Sequence, residues 1–427
     1  MMNDKMSRRT LGAALLVGAG MMTTGTAVFA QDVTINFLSA QRDDIMQPMI
    51  KGFEAANPGI KVVHQSVPFN DLNAATESRI GQGDTSIDVL HADTPRIPAF
   101  ASQGYLLNLD DRRDVIDAAV PNAVDLEQVS YDGSLYAYPM WTSTQLMYFN
   151  RDVLEKAGLE MPSGDPEQRL TWEALLDMAR TAKDSGIKYG LTFQQVDRYY
   201  QLQFLFESNG AGSGLTGDEM LTPTITNDGW IETAKWYGDL YESGLAPRGV
   251  TPEQTDDLFI NGEVAFMIAG PWAIARYENA ADLNYGVAPV PYFEGGKPVT
   301  PTGSWSVAIN PNSEKKDAAR AFAEYISLDP EGAYLSIKNN PNILVNAEAF
   351  KNYSADMDGL TDKIGSAIDI ISYETKNTAV GRPRSRGFVT FETIMNRTFS
   401  DLRNGTDAET ALKGAERQLD RALGRIQ

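Results

Sequence analysis

The sequence predicts an α/β protein of two lobes, each assembled from discontinuous segments, with the chain crossing between them more than once. Three observations carry this reading. Strand and helix patterns alternate between Val33 and His91 at a spacing that makes a parallel sheet with right-handed crossovers. A second α/β region follows from Thr171. The 427 residues are too many for one ordinary core, yet they hold no internal repeat and no long low-complexity linker.

Taken in order, the chain begins with Lys5, Arg8 and Arg9 ahead of a short apolar run over 11–17 and a small-x-small site at 28–30. This is the pattern of an export signal over residues 1–30, cleaved near Ala30. The apolar run is too short, and too rich in Gly and Thr, to span a bilayer. Ser7-Arg8-Arg9-Thr10-Leu11 resembles a twin-arginine signal, and an ordinary basic n-region accounts for it equally well. No cysteine follows the cleavage site, so the expectation is a free periplasmic protein with no lipid anchor.

A strand over 33–38 runs into a polar loop, and Ile45, Met49, Ile50 and Phe53 at helical spacing mark a helix stopped by Asn57, Pro58 and Gly59. A strand over 60–66, a helix over 72–80 and a strand over 87–91 complete the run. Ligands of such sheets bind beyond the carboxyl ends of strands, which makes Gln41, Arg42, Asp93 and Thr94 candidates on topology alone. Asn70, after the second strand, is a further polar candidate.

Residues 139–159 are the stretch on which the two regions join. Residues 145–149 read as extended; Asn150 is an N-cap for a helix with Val153, Leu154 and Ala157 on one face, and Gly158 suits its C′ position. Just before lies Trp141, followed by Thr142, Ser143, Thr144 and Gln145, an aromatic beside hydrogen-bonding side chains. That composition fits the wall of a polar cleft better than a core strand.

Thr171 caps a helix with the stripe Trp172, Leu175, Leu176 and Ala179, ending at Gly186. A strand over 188–193 and an aromatic helix over 198–208 follow; of Tyr199 and Tyr200, one belongs to the core and one can wall the cleft. Gly210, Gly212 and Gly214 do not sit between a strand and a helix start, so they are not read as a phosphate loop. Asn227 starts a long helix with a core stripe of Trp230, Ala234, Tyr237 and Tyr241. After a helix over 253–260, a buried strand over 264–268 leads to Gly270, Pro271 and Trp272, where the proline suits a helix start. Residues 285–291 return extended, Gly295 and Gly296 predict a hairpin turn, and 304–309 form a strand. Ser313 is read as the cap of the next helix, and from 341 the pattern is almost all helical, apart from a loop over 381–387 holding Arg382, Arg384 and Arg386.

Composition narrows the function. A formal charge of −20 argues against nucleic acid and anionic lipid as partners. The absence of cysteine excludes disulfides, thiolate metal sites and cysteine nucleophiles. With only His64 and His91, zinc sites and histidine triads are disfavoured, and no cofactor or metal is expected.

Four motifs stand in order along the mature chain: Gln145 to Gly158; Thr171 to Ala179; Phe259 to Trp272; and Gly303 to Ile309 with Lys316 to Phe322 behind it. By these the chain resembles the family 1 bacterial extracellular solute-binding proteins, the sugar receptors of ABC importers, including the maltose and trehalose/maltose type. The resemblance implies a type II periplasmic-binding-protein-like fold, each lobe a mostly parallel sheet flanked by helices, with a cleft that closes about a hinge. It implies lobe 1 over 31–140 plus 303–340, lobe 2 over 141–302 plus 341–427, and crossings near 139–145, 296–304 and 338–345. A monomer that delivers carbohydrate to the permease of an ABC transporter is expected, with no catalysis. By the same resemblance Trp272 and Trp305 line the cleft, with Gly303 beside the latter, and Trp141 stacks on sugar. Asp93 and Arg382 occupy positions that contact sugar hydroxyls, and Gln41, Arg42 and Tyr199 are further wall candidates. Ser143 stands where some relatives carry an acid, which leaves the ligand's identity open.

Three alternatives stay in view: a polyol; an anionic sulfonated or phosphorylated sugar, suggested by the clustered arginines; and a glycoside hydrolase, which needs two carboxylates about 5–10 Å apart. A polyamine receptor needs several cleft carboxylates, and Asp93 is the one that can be placed.

Overall fold

The computed structural model describes residues 33–338 and 341–426; the expected export signal over 1–30 lies outside the described residues, as does the side chain of Asn70. Two sheets organise the chain. The first has six strands in the order Ile343–Leu344, Tyr138–Thr142, Trp305–Ile309, Val89–Asp93, Val33–Ser39 and Ile60–Ser66. The second has four, Tyr285–Ala288, Leu146–Asn150, Val264–Ala269 and Tyr189–Phe193.

Val33–Ser39 pairs in parallel with both Ile60–Ser66 and Val89–Asp93, as the strand–helix alternation predicts. The sheets as wholes are mixed rather than mostly parallel. Trp305–Ile309 runs antiparallel to both of its neighbours, and Leu146–Asn150 does the same in the second sheet. The connections explain the difference. A crossover helix returns the chain to the same end of the sheet, so the next strand is parallel. Leu146–Asn150 and Trp305–Ile309 are reached by direct passage from one sheet to the other and enter antiparallel to their neighbours. The chain leaves the first sheet at Thr142 and enters the second at Leu146; it leaves the second after Ala288 and rejoins the first at Trp305.

Local signals place the helices. Asn150, Thr171 and Asn227 each accept a backbone N–H from the first turn, those of Val153, Ala174 and Trp230 at 3.1, 3.2 and 3.0 Å. Gly158 has φ +67°, the left-handed conformation that ends a helix. Four details depart from expectation. Ser313 is not a cap; its hydroxyl donates to Asp88 at 2.6 Å and the helix starts at Lys316. Pro271 sits in the turn before the helix Ala273–Glu278 rather than inside it. No hairpin forms at Gly295 and Gly296, because Thr300–Pro301 pairs in parallel with Ala379–Val380. Ile343–Leu344 interrupts the helical tail as an edge strand, a pairing set by Trp141 and Thr142 far away in sequence.

The second sheet is buried on both faces. Leu146 and Tyr148 join the apolar cluster that also fills the first lobe, while Met147 and Phe149 belong to the cluster under the C-terminal helices. The two-residue period of a strand divides them.

Candidate ligand-binding cleft

A cleft of about 860 Å³ opens between the sheets. Its floor is set by strand register. Trp305 pairs with Asp93 on one side and with Trp141 on the other, so three candidate residues from three strands lie in one row at the sheet's end. A bulge at Trp305 and Ser306 shifts the register there, a device that re-aims side chains beside functional sites. His91 supports the row from below, its ring 5.4 Å from both Trp141 and Trp305. Burial, with a smaller contribution from the His64 charge, pushes His91 down to about 3, so the ring is neutral.

The opposite wall carries Trp272. Its ring lies over Gly270, where an added Cβ would come within 1.9 Å of it, and its indole N–H donates to Gln194 at 2.7 Å. Gln194 in turn donates to Asp256 at 3.0 Å, and Tyr277 donates to the same carboxylate at 2.8 Å. Trp272 is thereby fixed by a chain of hydrogen bonds that ends in the second lobe's core.

Tyr200 ties the crossing segments together. Its hydroxyl lies 3.0 Å from the Ser143 hydroxyl and accepts from the Gln145 amide at 2.8 Å. Gly303 lets it approach: a Cβ there would lie 2.8 Å from the Tyr200 ring. Burial pushes the Tyr200 phenol up to about 12, so it stays protonated.

Nine of the eleven candidate residues therefore line the cleft: Gln41, Arg42, Asp93, Trp141, Ser143, Trp272, Gly303, Trp305 and Arg382. Tyr199 is a correction. It is fully buried, it donates to the Ser213 carbonyl at 2.6 Å, and it packs edge-on against Phe391. Successive helical residues point about 100° apart, so only one of the two tyrosines can face the cleft, and that one is Tyr200. Asn70 belongs to the helix Phe69–Arg79, and its side chain lies outside the described residues.

Two other candidates hold each other. Arg382 donates to Asp93 through both terminal nitrogens, Nη1 at 2.6 Å; Arg96 also donates to Asp93, and to Glu392 as well. Burial alone would raise the Asp93 carboxyl, but the Arg382 and Arg96 charges outweigh it and hold the group below its ordinary value. Ser143 is likewise engaged, with Tyr200 and Gly303. Arg42 is exposed and paired with Asp44 at 2.7 Å.

Residues 39–333 match the family model described as bacterial extracellular solute-binding protein. The chain belongs to that family. The solute-binding protein is 28% identical over 323 residues to a binding protein of Brucella abortus, covering 74% of this chain and 76% of that one. It is 25% identical over 323 residues to the maltodextrin-binding protein MdxE of Bacillus subtilis, covering 74% and 72%. A Listeria monocytogenes ABC substrate-binding protein solved with cycloalternan superposes with a TM-score of 0.79 at 22% identity, over 92% of this chain and 100% of that one, and shares its fold.

Within the solute-binding protein, the cleft also recruits Phe69, Gln194, Arg198 and Tyr200. Gln194 and Arg198 are not among the residues the sequence marks for the cleft. Gln194 directly follows the strand Tyr189–Phe193, beyond its carboxyl end, where topology places ligand contacts.

Proposed function

We propose that this protein is the periplasmic receptor of an ABC importer that binds a carbohydrate between its lobes and delivers it to the membrane permease, without catalysis. One observation carries the reading: Trp305 and Phe69 on the first wall face a cleft shared with Trp272 and Tyr200 on the second. Aromatic rings on both walls offer apolar faces to the C–H surfaces of a sugar, each such contact worth about 0.5–1.5 kcal/mol beyond area burial. Gln41, Gln194 and Gln195 add neutral hydrogen-bonding groups around them. The volume suits a mono- to oligosaccharide. A ligand touching both walls favours the closed arrangement by its differential affinity. The maltodextrin-binding relative supports the same ligand class.

The lobe limits given above, cleavage near Ala30, a free monomer in the periplasm and the absence of a lipid anchor belong to this reading. Calorimetry and thermal shift against mono-, di- and oligosaccharides, neutral and anionic, test it. At least one sugar should raise the melting temperature and be recovered intact after incubation. Stabilisation only by diamines or metal ions would refute the sugar reading, and release of hydrolysed sugar would replace the receptor with a hydrolase.

A further inference from the structure

One guanidinium that lines the cleft has no ion pair among the described residues. Asp93 is shared by Arg382 and Arg96, and Glu392 is taken by Arg96. A third guanidinium, that of Arg198, enters the same cleft from the start of the helix Tyr199–Ser208. Its neighbours are neutral: it lies over the Phe69 ring at 4.6 Å from the centroid and donates to the Gln195 side-chain oxygen. Three carboxylates act on it from farther away, those of Glu392, Glu253 and Asp197. Glu392 is held by Arg96, and Asp197 by Arg403 at 3.2 Å. Glu253 is exposed on the rim. Among the described residues Arg198 thus has no ion pair of its own, and the one cleft-lining carboxylate that acts on it, Glu253, lies on the exposed rim.

Arginine does not shed its proton in a protein, so Arg198 brings into the cleft a positive charge that has no ion pair of its own among the described residues. A neutral sugar would leave it unpaired as the lobes close and water is expelled. A planar fork of N–H donors is the shape that pairs with an oxyanion through two parallel hydrogen bonds. Phe69 comes from the first wall and Arg198 from the second. The ring therefore holds the guanidinium across the cleft, beside the Trp305 face that packs edge-on to Phe69 at 5.8 Å.

We propose that the carbohydrate taken by this receptor carries one oxyanion, a carboxylate or a phosphate, and that Arg198 is the side chain that pairs with it. This rests on the carbohydrate reading above. The test is calorimetry on the full mature protein with matched pairs: glucose and glucuronate, galactose and galacturonate, glucose and glucose 6-phosphate. The acidic member of at least one pair should bind at least tenfold more tightly than its neutral partner, and which pair responds separates carboxylate from phosphate. Arg198→Gln should weaken that acidic ligand by roughly tenfold to a hundredfold, and by at least tenfold more than it weakens the neutral partner; Arg198→Lys should restore part of the loss. Neutral sugars binding as tightly as acidic ones, or an acid preference that survives Arg198→Gln, would overturn the assignment while leaving the carbohydrate receptor standing. Binding of no member of any pair would overturn this assignment, and failure of the di- and oligosaccharides as well would overturn the carbohydrate reading.

Discussion

Trp141 and Trp272 both line the cleft, but their surroundings separate the effects of removing them. Trp141 is 1% exposed, packed against His91 and flanked in register by Trp305 and Leu344. A buried Trp removes about 150–250 Å² from water, which at ~25 cal/mol per Å² sets an upper bound of about 4–6 kcal/mol. Core Trp→Ala changes cost about 3–5 kcal/mol, so Trp141→Ala should destabilise by about 4 kcal/mol. Trp272 is only half-buried, and its loss leaves the Gln194 oxygen still accepting from Gln195 at 3.1 Å. The stability cost of Trp272→Ala should then be about 1–2 kcal/mol. On the ligand side the ring supplies a stacking face, and its removal should weaken binding ten- to a hundredfold, about 1.4–2.8 kcal/mol. Guanidinium unfolding without ligand and calorimetry with the tightest sugar measure the two quantities. If Trp272→Ala unfolds as early as Trp141→Ala while the folded fraction binds normally, the ring is core and the reasoning fails.

Two further predictions concern the crossing segments and the buried charges. Gly303→Ala places a methyl 2.8 Å from the Tyr200 ring, so Tyr200 must shift away from Ser143 and Gln145; affinity should fall by about tenfold with the loss of that fixed geometry, and unchanged calorimetry would remove Tyr200 from the role given to it. Asp93→Asn leaves Arg382 and Arg96 without their shared carboxylate and should cost about 3–5 kcal/mol near neutral pH. Because the folded Asp93 lies below its ordinary value, its contribution is fully present above the unfolded value of about 3.9 and is lost as pH falls through the folded one. Urea titrations should show wild type and Asp93→Asn converging in strong acid; a constant gap would assign the stabilisation elsewhere.

How much of this was legible in the sequence follows the range of the interaction. The caps at Asn150, Thr171 and Asn227 are contacts within three residues, and each is where the residue types put it. The core stripe Trp230, Ala234, Tyr237 and Tyr241 is a helical period and is buried throughout. What failed depends on partners far along the chain. Thr300–Pro301 leaves its expected hairpin for a strand at 379 and 380, and Ile343–Leu344 becomes a strand only because Trp141 and Thr142 offer it an edge. In the cleft, topology and the family motifs reached Trp305, Trp272 and Asp93. The choice between Tyr199 and Tyr200 needed the helix's rotation about its axis, which the aromatic-rich run 199–206 leaves undetermined because it presents apolar rings on several faces.

The fate of Asp93 and Arg382 changes what the cleft can offer a ligand. Read singly, each is a hydroxyl partner for sugar; in the structure each is the other's partner, and a ligand would have to compete with a charge-assisted, buried fork. Asp93 ends a strand of the first sheet, whereas Arg382 leads into the helix Phe388–Arg403, whose Phe388 and Phe391 pack in the second lobe's core. Arg96 and Glu392 make a second contact between the same two parts. The lobes are therefore joined by buried charge at the floor, close to the crossing segments where Tyr200 holds Ser143 and Gln145. Groups engaged in that joint contribute position rather than affinity, because exchanging one strong pairing for another gains little. The groups left to gain on ligand binding are the exposed faces of Trp272 and Trp305 and the guanidinium of Arg198, which has no ion pair among the described residues.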